Sequence, residues 1–235
     1  MSRYTYLVTG ANRGIGFEIV RQLLAEGKHD VIAVVRSIAT ASPIKALVDE
    51  SKASKIVEFD ITDRLSIKKA VKDLKAKGVD KVDILINNAG AIHELVAMEA
   101  LEDSEFERLL RTNVVGANSV ISEFMPLLQH GHRKVVVNIS SGLGSISMNT
   151  GYASGGYNVS KAALNMLTKQ YAVEKAASGF TFIALDPGWV QTDMGGKSAP
   201  LSPNESVSAI VSTVSQLTPK DNGKYMNRFG ETLPF

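Results

Sequence analysis

The sequence predicts a single α/β domain over residues 1–235, a doubly wound parallel sheet of about seven strands with helices on both faces. Three observations lead there. Short apolar, β-branched runs alternate with helical stretches from Tyr4 to Asn227. No linker, repeat or low-complexity tract interrupts that alternation. The glycines and the unusual polar residues gather just after the strand-like runs, where open parallel sheets bind their ligands.

The elements follow in order. YTYLVT (4–9) is short, apolar and rich in β-formers. Glycines come next at Gly10, Gly14 and Gly16, then a helical pattern over 15–25 with Ile15, Ile19 and Leu23 on one side. A wholly apolar run over 31–35 suits a parallel strand buried on both faces, completing a β-α-β unit. A short helix is expected over 43–52, a strand over 55–59 and a lysine-rich outer helix over 66–77. DILIN (83–87) is a strand that runs into Asn88-Ala89-Gly90. Residues 104–128 form one long helix that Pro126 disturbs near its end. KVVVNIS (134–140) is a strand, 155–177 a helix and FTFIAL (180–185) a strand followed by Pro187-Gly188. A helix over 205–216 and a short strand over 224–227 finish the alternation.

Composition bounds the function. With 235 residues, 44% hydrophobic and 21% charged, the chain has an ordinary globular balance. A net charge of +2 gives no reason to expect nucleic acid. There is no cysteine, hence no disulfide, thiolate metal site or thiol nucleophile. No apolar stretch reaches the ~18 residues of a membrane span, and no signal or transit peptide is visible. A cytoplasmic location is expected. His29, His93, His130 and His132 are dispersed without carboxylate companions, which predicts surface positions rather than a metal site.

Chemistry enters at the strand ends. The turn TGANRGIG (9–16) offers backbone N–H groups and a helix N-terminus to a phosphate. Its spacing is not that of a P-loop, since no G-K-[ST] follows. Arg36 and Ser37 follow the second strand, where a unit that binds free ribose hydroxyls usually places an acid. No acid stands there in sequence, and Arg13 adds a second cation, so a ribose 2′-phosphate is favoured. Tyr157 and Lys161, four apart, share one helix face. An ammonium held near a phenol lowers its pKa and makes the pair a candidate acid/base. The pattern is common by chance, and its weight comes from its place among the other strand-end motifs. Trp189 either walls a substrate pocket or packs in the core; His93, Glu94 and Met148 are further pocket candidates.

TGANRGIG, Asp60–Asp63, Asn87-Asn88-Ala89-Gly90, Asn113-Val-Val-Gly116, Ser140-Ser141, Tyr157–Lys161 and Pro187-Gly188 resemble, in order and spacing, the short-chain dehydrogenase/reductase family and its Rossmann-type fold. NISSGLGSI and PGWVQTDMGG look more narrowly like the C-factor and sniffer-type carbonyl reductases within it. The resemblance implies that Tyr157 exchanges a proton with the substrate oxygen. Lys161 would hold the nicotinamide ribose, Ser141 would bond the substrate carbonyl and Asn113 would hold a relay water. It implies that NADPH/NADP+ contacts Gly10, Asn12, Arg13, Gly14, Ile15 and Gly16 in the turn, and Arg36 and Ser37 after the second strand. Asp60 and Ile61 would contact adenine. Asn87, Asn88, Ala89 and Gly90 would line the ribose side, and Pro187, Gly188, Val190 and Thr192 would border the nicotinamide.

The interval from Ser141 to Tyr157 is sixteen residues, longer than that family's usual one. The glycine-rich segment 148–156 must therefore bulge, which leaves open whether Ser140 or Ser141 faces the substrate. Tyr152 lacks a lysine four residues on and is rejected as the acid. The reading is an NADPH-dependent reductase of small aldehydes or ketones, with no nucleic-acid or membrane partner. A non-catalytic NADP(H)-sensing regulator is the alternative; the intact Ser141, Tyr157, Lys161 and Asn113 set argues against it. A sugar epimerase or dehydratase would need more chain after Met194. Relatives pair through helices corresponding to 104–128 and 155–177, so a homodimer is a further expectation.

Overall fold

A computed structural model describes residues 3–51, 54–151 and 154–235. Seven strands form one parallel sheet: β1 (Thr5–Thr9), β2 (Asp30–Val35), β3 (Lys55–Glu58), β4 (Ile84–Asn87), β5 (Val135–Ile139), β6 (Thr181–Asp186) and β7 (Tyr225–Asn227). Their order is β3-β2-β1-β4-β5-β6-β7. The order reverses on the two sides of β1, and that reversal opens a crevice beyond the carboxyl ends of β1 and β4.

Side chains alternate across each strand, so one face buries Val8, Ala33, Ile86 and Val137 and the other Leu7, Ile32, Leu85 and Val136. Both faces are apolar because helices cover both. Helices α1 (Gly14–Ala25), α2 (Ser42–Asp49) and α7 (Pro203–Gln216) press Ile19, Ile44 and Ile210 onto the first. Helices α3 (Arg64–Ala76), α5 (Ala117–Gln129) and α6 (Gly155–Glu174) close the second, with Ile67, Phe124 and Ala172.

The single long helix expected over 104–128 is instead composite. α4 (Asp103–Leu110) leads into a π-helical turn (Arg111–Gly116) and then α5. The extra residue per turn lets Gly116 pass Ile61 closely, where a Cβ would meet the isoleucine at 3.0 Å. It also turns Asn113 inward; π-turns often mark functional sites. Pro126 lies within α5 without ending it. Other helix and strand limits differ from expectation by a few residues; the expected end of the second helix, Lys52, lies outside the described residues.

Candidate active site

A cleft of about 680 Å³ runs along the carboxyl ends of the strands, from Arg36 to Lys161 and Pro187. Its first wall is the turn between β1 and α1. Gly10 (φ +67°) and Gly14 (φ +56°) adopt backbone conformations open chiefly to glycine. The N-cap residue of α1, Arg13, makes no side-chain cap, so no side chain at that position takes up the first-turn N–H groups. Asn88 ties the turn to β4: its Nδ2 donates to Thr9 O at 2.9 Å and Gly10 O at 3.3 Å. Thr9 Oγ1 in turn accepts from the N–H groups of Asn88 and Ala89.

At the other end stand Tyr157 and Lys161, both buried. Lys161 Nζ donates to Ile139 O at 2.8 Å and lies 5.6 Å from the Tyr157 ring centroid. Burial lowers its pKa to about 8, against the attraction of Asp186. Burial raises Tyr157 to about 12, partly offset by a hydrogen bond with the Ser141 side chain, while Asp186 adds to the rise. The expected lowering of the tyrosine by its lysine is therefore corrected. The ammonium sits over the ring and spends a proton on a backbone carbonyl, so desolvation dominates.

The two serines have different surroundings. Ser140 Oγ donates to Asn165 Oδ1 at 2.6 Å, whereas Ser141 Oγ accepts from Leu143 N at 3.2 Å and its side chain partly offsets the rise of the Tyr157 pKa; of the two serines, Ser140 lines the cleft. Ser141 has extended backbone, φ −166° and ψ 148°, and consecutive side chains of such a segment point oppositely. Asn113 is held beside them: its Oδ1 accepts from Ala91 N at 2.7 Å, and its Nδ2 donates to Ala91 O at 2.9 Å and Ser160 Oγ at 2.8 Å. A methyl group on Gly90 would stand 3.2 Å from Asn113 Oδ1 and 3.7 Å from Lys161 Nζ, so the three share one corner.

Fifteen of the predicted residues line the cleft: Gly10, Asn12, Arg13, Gly14, Ile15, Arg36, Asp60, Ile61, Asn88, Ala89, Gly90, Tyr157, Lys161, Pro187 and Thr192. Others stand behind it. Gly16 backs the turn, where a Cβ would lie 2.3 Å from Gly10 O. Asn87 turns inward and donates to Asn138 Oδ1 at 2.9 Å. Val190 is buried. Gly188 packs against Leu201 and Arg228, and Ser37 precedes the 3-10 turn Ile38–Thr40 without a side-chain cap bond. Arg36 is exposed, and Arg13 Nη1 donates to Asp193 at 2.7 Å with both side chains mostly exposed. β3 places Glu58 beside Val35, and its carboxylate accepts from Ile38 N at 2.7 Å. The end of β2 thus has an acid nearby that its own sequence lacks.

Two histidine expectations are corrected. His93 is buried near Gly156, with neither ring nitrogen hydrogen-bonded among the described residues. His29 is covered by stacking on Tyr4 and edge contact with Tyr6. Trp189 is 57% exposed, its Nε1 donating to Gly195 O at 2.7 Å, so it does not belong to the core. His93, Glu94 and Met148 do not line the main cleft. Tyr152 lies outside the described residues.

Sequence reasoning missed Asp186 and Tyr225. Asp186 Oδ1 accepts from Gly142 N at 2.9 Å and Gly188 N at 3.1 Å, joining the serine loop to the segment after β6. An acid at a strand's carboxyl end, directly before Pro187-Gly188, was the available signal. Tyr225, fully buried, donates to Ser141 O at 2.5 Å from 84 residues away; nothing local announces that contact.

A doubly wound sheet with a cleft beyond the carboxyl ends of its strands defines a class, and comparison agrees with it. Residues 4–201 match the short chain dehydrogenase model, and the chain belongs to that family. It is similar to the C-signal of Myxococcus xanthus, with 34% identity over 154 residues covering 66% of this chain and 93% of that protein. Carbonyl reductase Sniffer of D. melanogaster shares the fold with a TM-score of 0.95 at 32% identity, covering 99% of this chain and all of that one. The NADPH-bound carbonyl reductase from chicken fatty liver gives a TM-score of 0.93 at 30% identity, with coverage of 100% and 95%.

Proposed function

We propose that the protein is an NADPH-dependent reductase of aldehyde or ketone carbonyls, working in the cytoplasm through Ser141, Tyr157, Lys161 and Asn113. The observation that carries the reading is the buried pair Tyr157 and Lys161 lining one end of a cleft whose far end is the glycine turn.

The residues suit the cofactor. Gly10 and Gly14 expose backbone where a pyrophosphate would lie, at a helix start without a side-chain cap. Arg36 and Arg13 would hold the 2′-phosphate; the Arg13–Asp193 pair is exposed and therefore weak enough to open. When bound, NADPH supplies the hydride that reduces the carbonyl carbon. Tyr157, kept protonated at neutral pH by burial, donates its proton to the substrate oxygen as that oxygen gains charge. The phenolic O–H bond breaks and an alcohol O–H bond forms. Ser141 donates a hydrogen bond to the same oxygen. Lys161, with its pKa near 8, is poised to return a proton to Tyr157 near neutral pH, and Asn113 would anchor the path to solvent.

The test is NADPH oxidation across aldehydes, diketones and quinones, with Tyr157→Phe as control. The variant should bind NADPH and lose at least ~10²-fold in kcat. NADPH binding without turnover of any carbonyl would favour the regulator reading instead.

A further inference from the structure

We propose that Tyr225, with the segment 231–235 folded over it, is a positioning residue that fixes Ser141 for the reaction. The proposal rests on the reading of Ser141 as a donor to the substrate oxygen.

Ser141 belongs to no helix or strand, yet its peptide is held from several sides. Its carbonyl accepts from Gly144 N at 2.8 Å and from Tyr225 Oη at 2.5 Å. The Gly142 N–H that follows it is spent on Asp186, and the preceding Ser140 N–H donates to Leu185 O at 2.7 Å. A serine hydroxyl has one rotatable bond between it and the backbone. Fixing the peptide therefore leaves only χ1 to choose where Oγ points.

Tyr225 is itself braced. After β7 the chain turns at Gly230 (φ +84°) and runs back along the edge strand, with a Met226–Thr232 bridge and Leu233 N donating to Tyr225 O at 2.8 Å. The Phe235 ring then lies against the Tyr225 ring, centroids 5.6 Å apart. The same segment grips the other end of the serine loop. Ser145 Oγ donates to Pro234 O at 2.7 Å, and Ser147 donates to Phe235 O through both N, at 3.1 Å, and Oγ, at 2.5 Å. The loop that carries Ser141 is thus held at its start by a tyrosine hydroxyl and at its end by the segment covering that tyrosine. Such bracing would compensate for the long interval between Ser141 and Tyr157.

A double-mutant cycle tests this, using the carbonyl compound turned over best in the screen. Tyr225→Phe keeps the ring under Phe235 and removes only the hydroxyl. It should lower kcat about tenfold, the ratio one ordinary hydrogen bond represents, with Kd for NADPH unchanged. In a Ser141→Ala background the same substitution should have no further effect on kcat, because it acts through the serine. Phe235→Ala, at a site 42% exposed, should reproduce a smaller fall that also vanishes in that background. A crystal structure of Tyr225→Phe should show Ser141 Oγ displaced. Equal losses in both backgrounds, no loss in either single variant, or an unmoved Ser141 would overturn the positioning role while leaving the proposed reaction intact. An unchanged kcat in Ser141→Ala alone would overturn the assignment of Ser141, and the positioning role with it.

Discussion

Lys161→Met should make the protein more stable near pH 7 and less stable above pH 10. The fold lowers the lysine pKa from 10.5 to about 8, chiefly by burial. At about 1.4 kcal/mol per unit, keeping the ammonium charged inside the protein costs roughly 3 kcal/mol. The folded-state pKa lies below the unfolded one, so between about 8 and 10.5 the unfolded chain binds the additional proton. Stability therefore rises with pH across that window; the full penalty holds below it and none remains above it. Methionine removes the charge but also the bond from Nζ to Ile139 O, a loss of about 1–2 kcal/mol with the carbonyl left dry. The balance at pH 7 is a gain of roughly 1–2 kcal/mol, or about 2–4 °C in Tm at this chain length. At pH 10.5 only the lost hydrogen bond remains and the variant melts lower than the natural protein. Calorimetry of both proteins without cofactor, from pH 7 to 10.5, reads the difference directly, because titrations common to both cancel. A Tm difference that stays constant over that range would refute the argument, since it would mean that Lys161 ionises in the fold as it does in the unfolded chain.

The remaining predictions concern the serines, the cofactor and the turn. Ser141→Ala should cost on the order of 10²-fold in kcat, whereas Ser140→Ala should cost mainly stability, about 1–3 kcal/mol, by stranding Asn165 Oδ1; the reverse ranking in kinetics and melting would show the register misread. Arg36→Asp should remove most of a preference for NADPH over NADH, measured as the ratio of kcat/KM. Charge-assisted bonds of roughly 1.5–3 kcal/mol set that preference at about tenfold or more, with Glu58 already opposing it; equal use of both cofactors by the natural protein would return Arg13 and Arg36 to the solvated surface. Gly16→Ala should abolish NADPH binding or folding, because its Cβ would lie 2.3 Å from Gly10 O and 2.4 Å from Asn88 Nδ2; normal affinity in titration calorimetry would contradict that packing.

Several features were legible in the chain because their causes are local. A strand buried on both faces is mostly apolar, so residues 31–35 and the Ile84–Ile86 centre of 83–87 announce β2 and β4 and, by alternation with helices, the parallel sheet. Glycine spacing announces the β1–α1 turn because positive φ is a property of single residues. Tyr157 and Lys161 announce a shared face because helical periodicity brings i and i+4 together. The resemblance added roles that local rules do not assign. Other features depended on groups distant in sequence. Burial under neighbouring elements raises the Tyr157 pKa, where the lysine one turn away was expected to lower it. Parallel register brings Glu58 to the end of β2. A π-turn within what reads as one helix directs Asn113 to Ala91. Ser140 bonds Asn165, a partner 25 residues away that nothing local announces. Tyr225 reaches Ser141 across 84 residues. In each case desolvation or a hydrogen-bond partner is set by what packs there, and packing is specified by the whole chain at once.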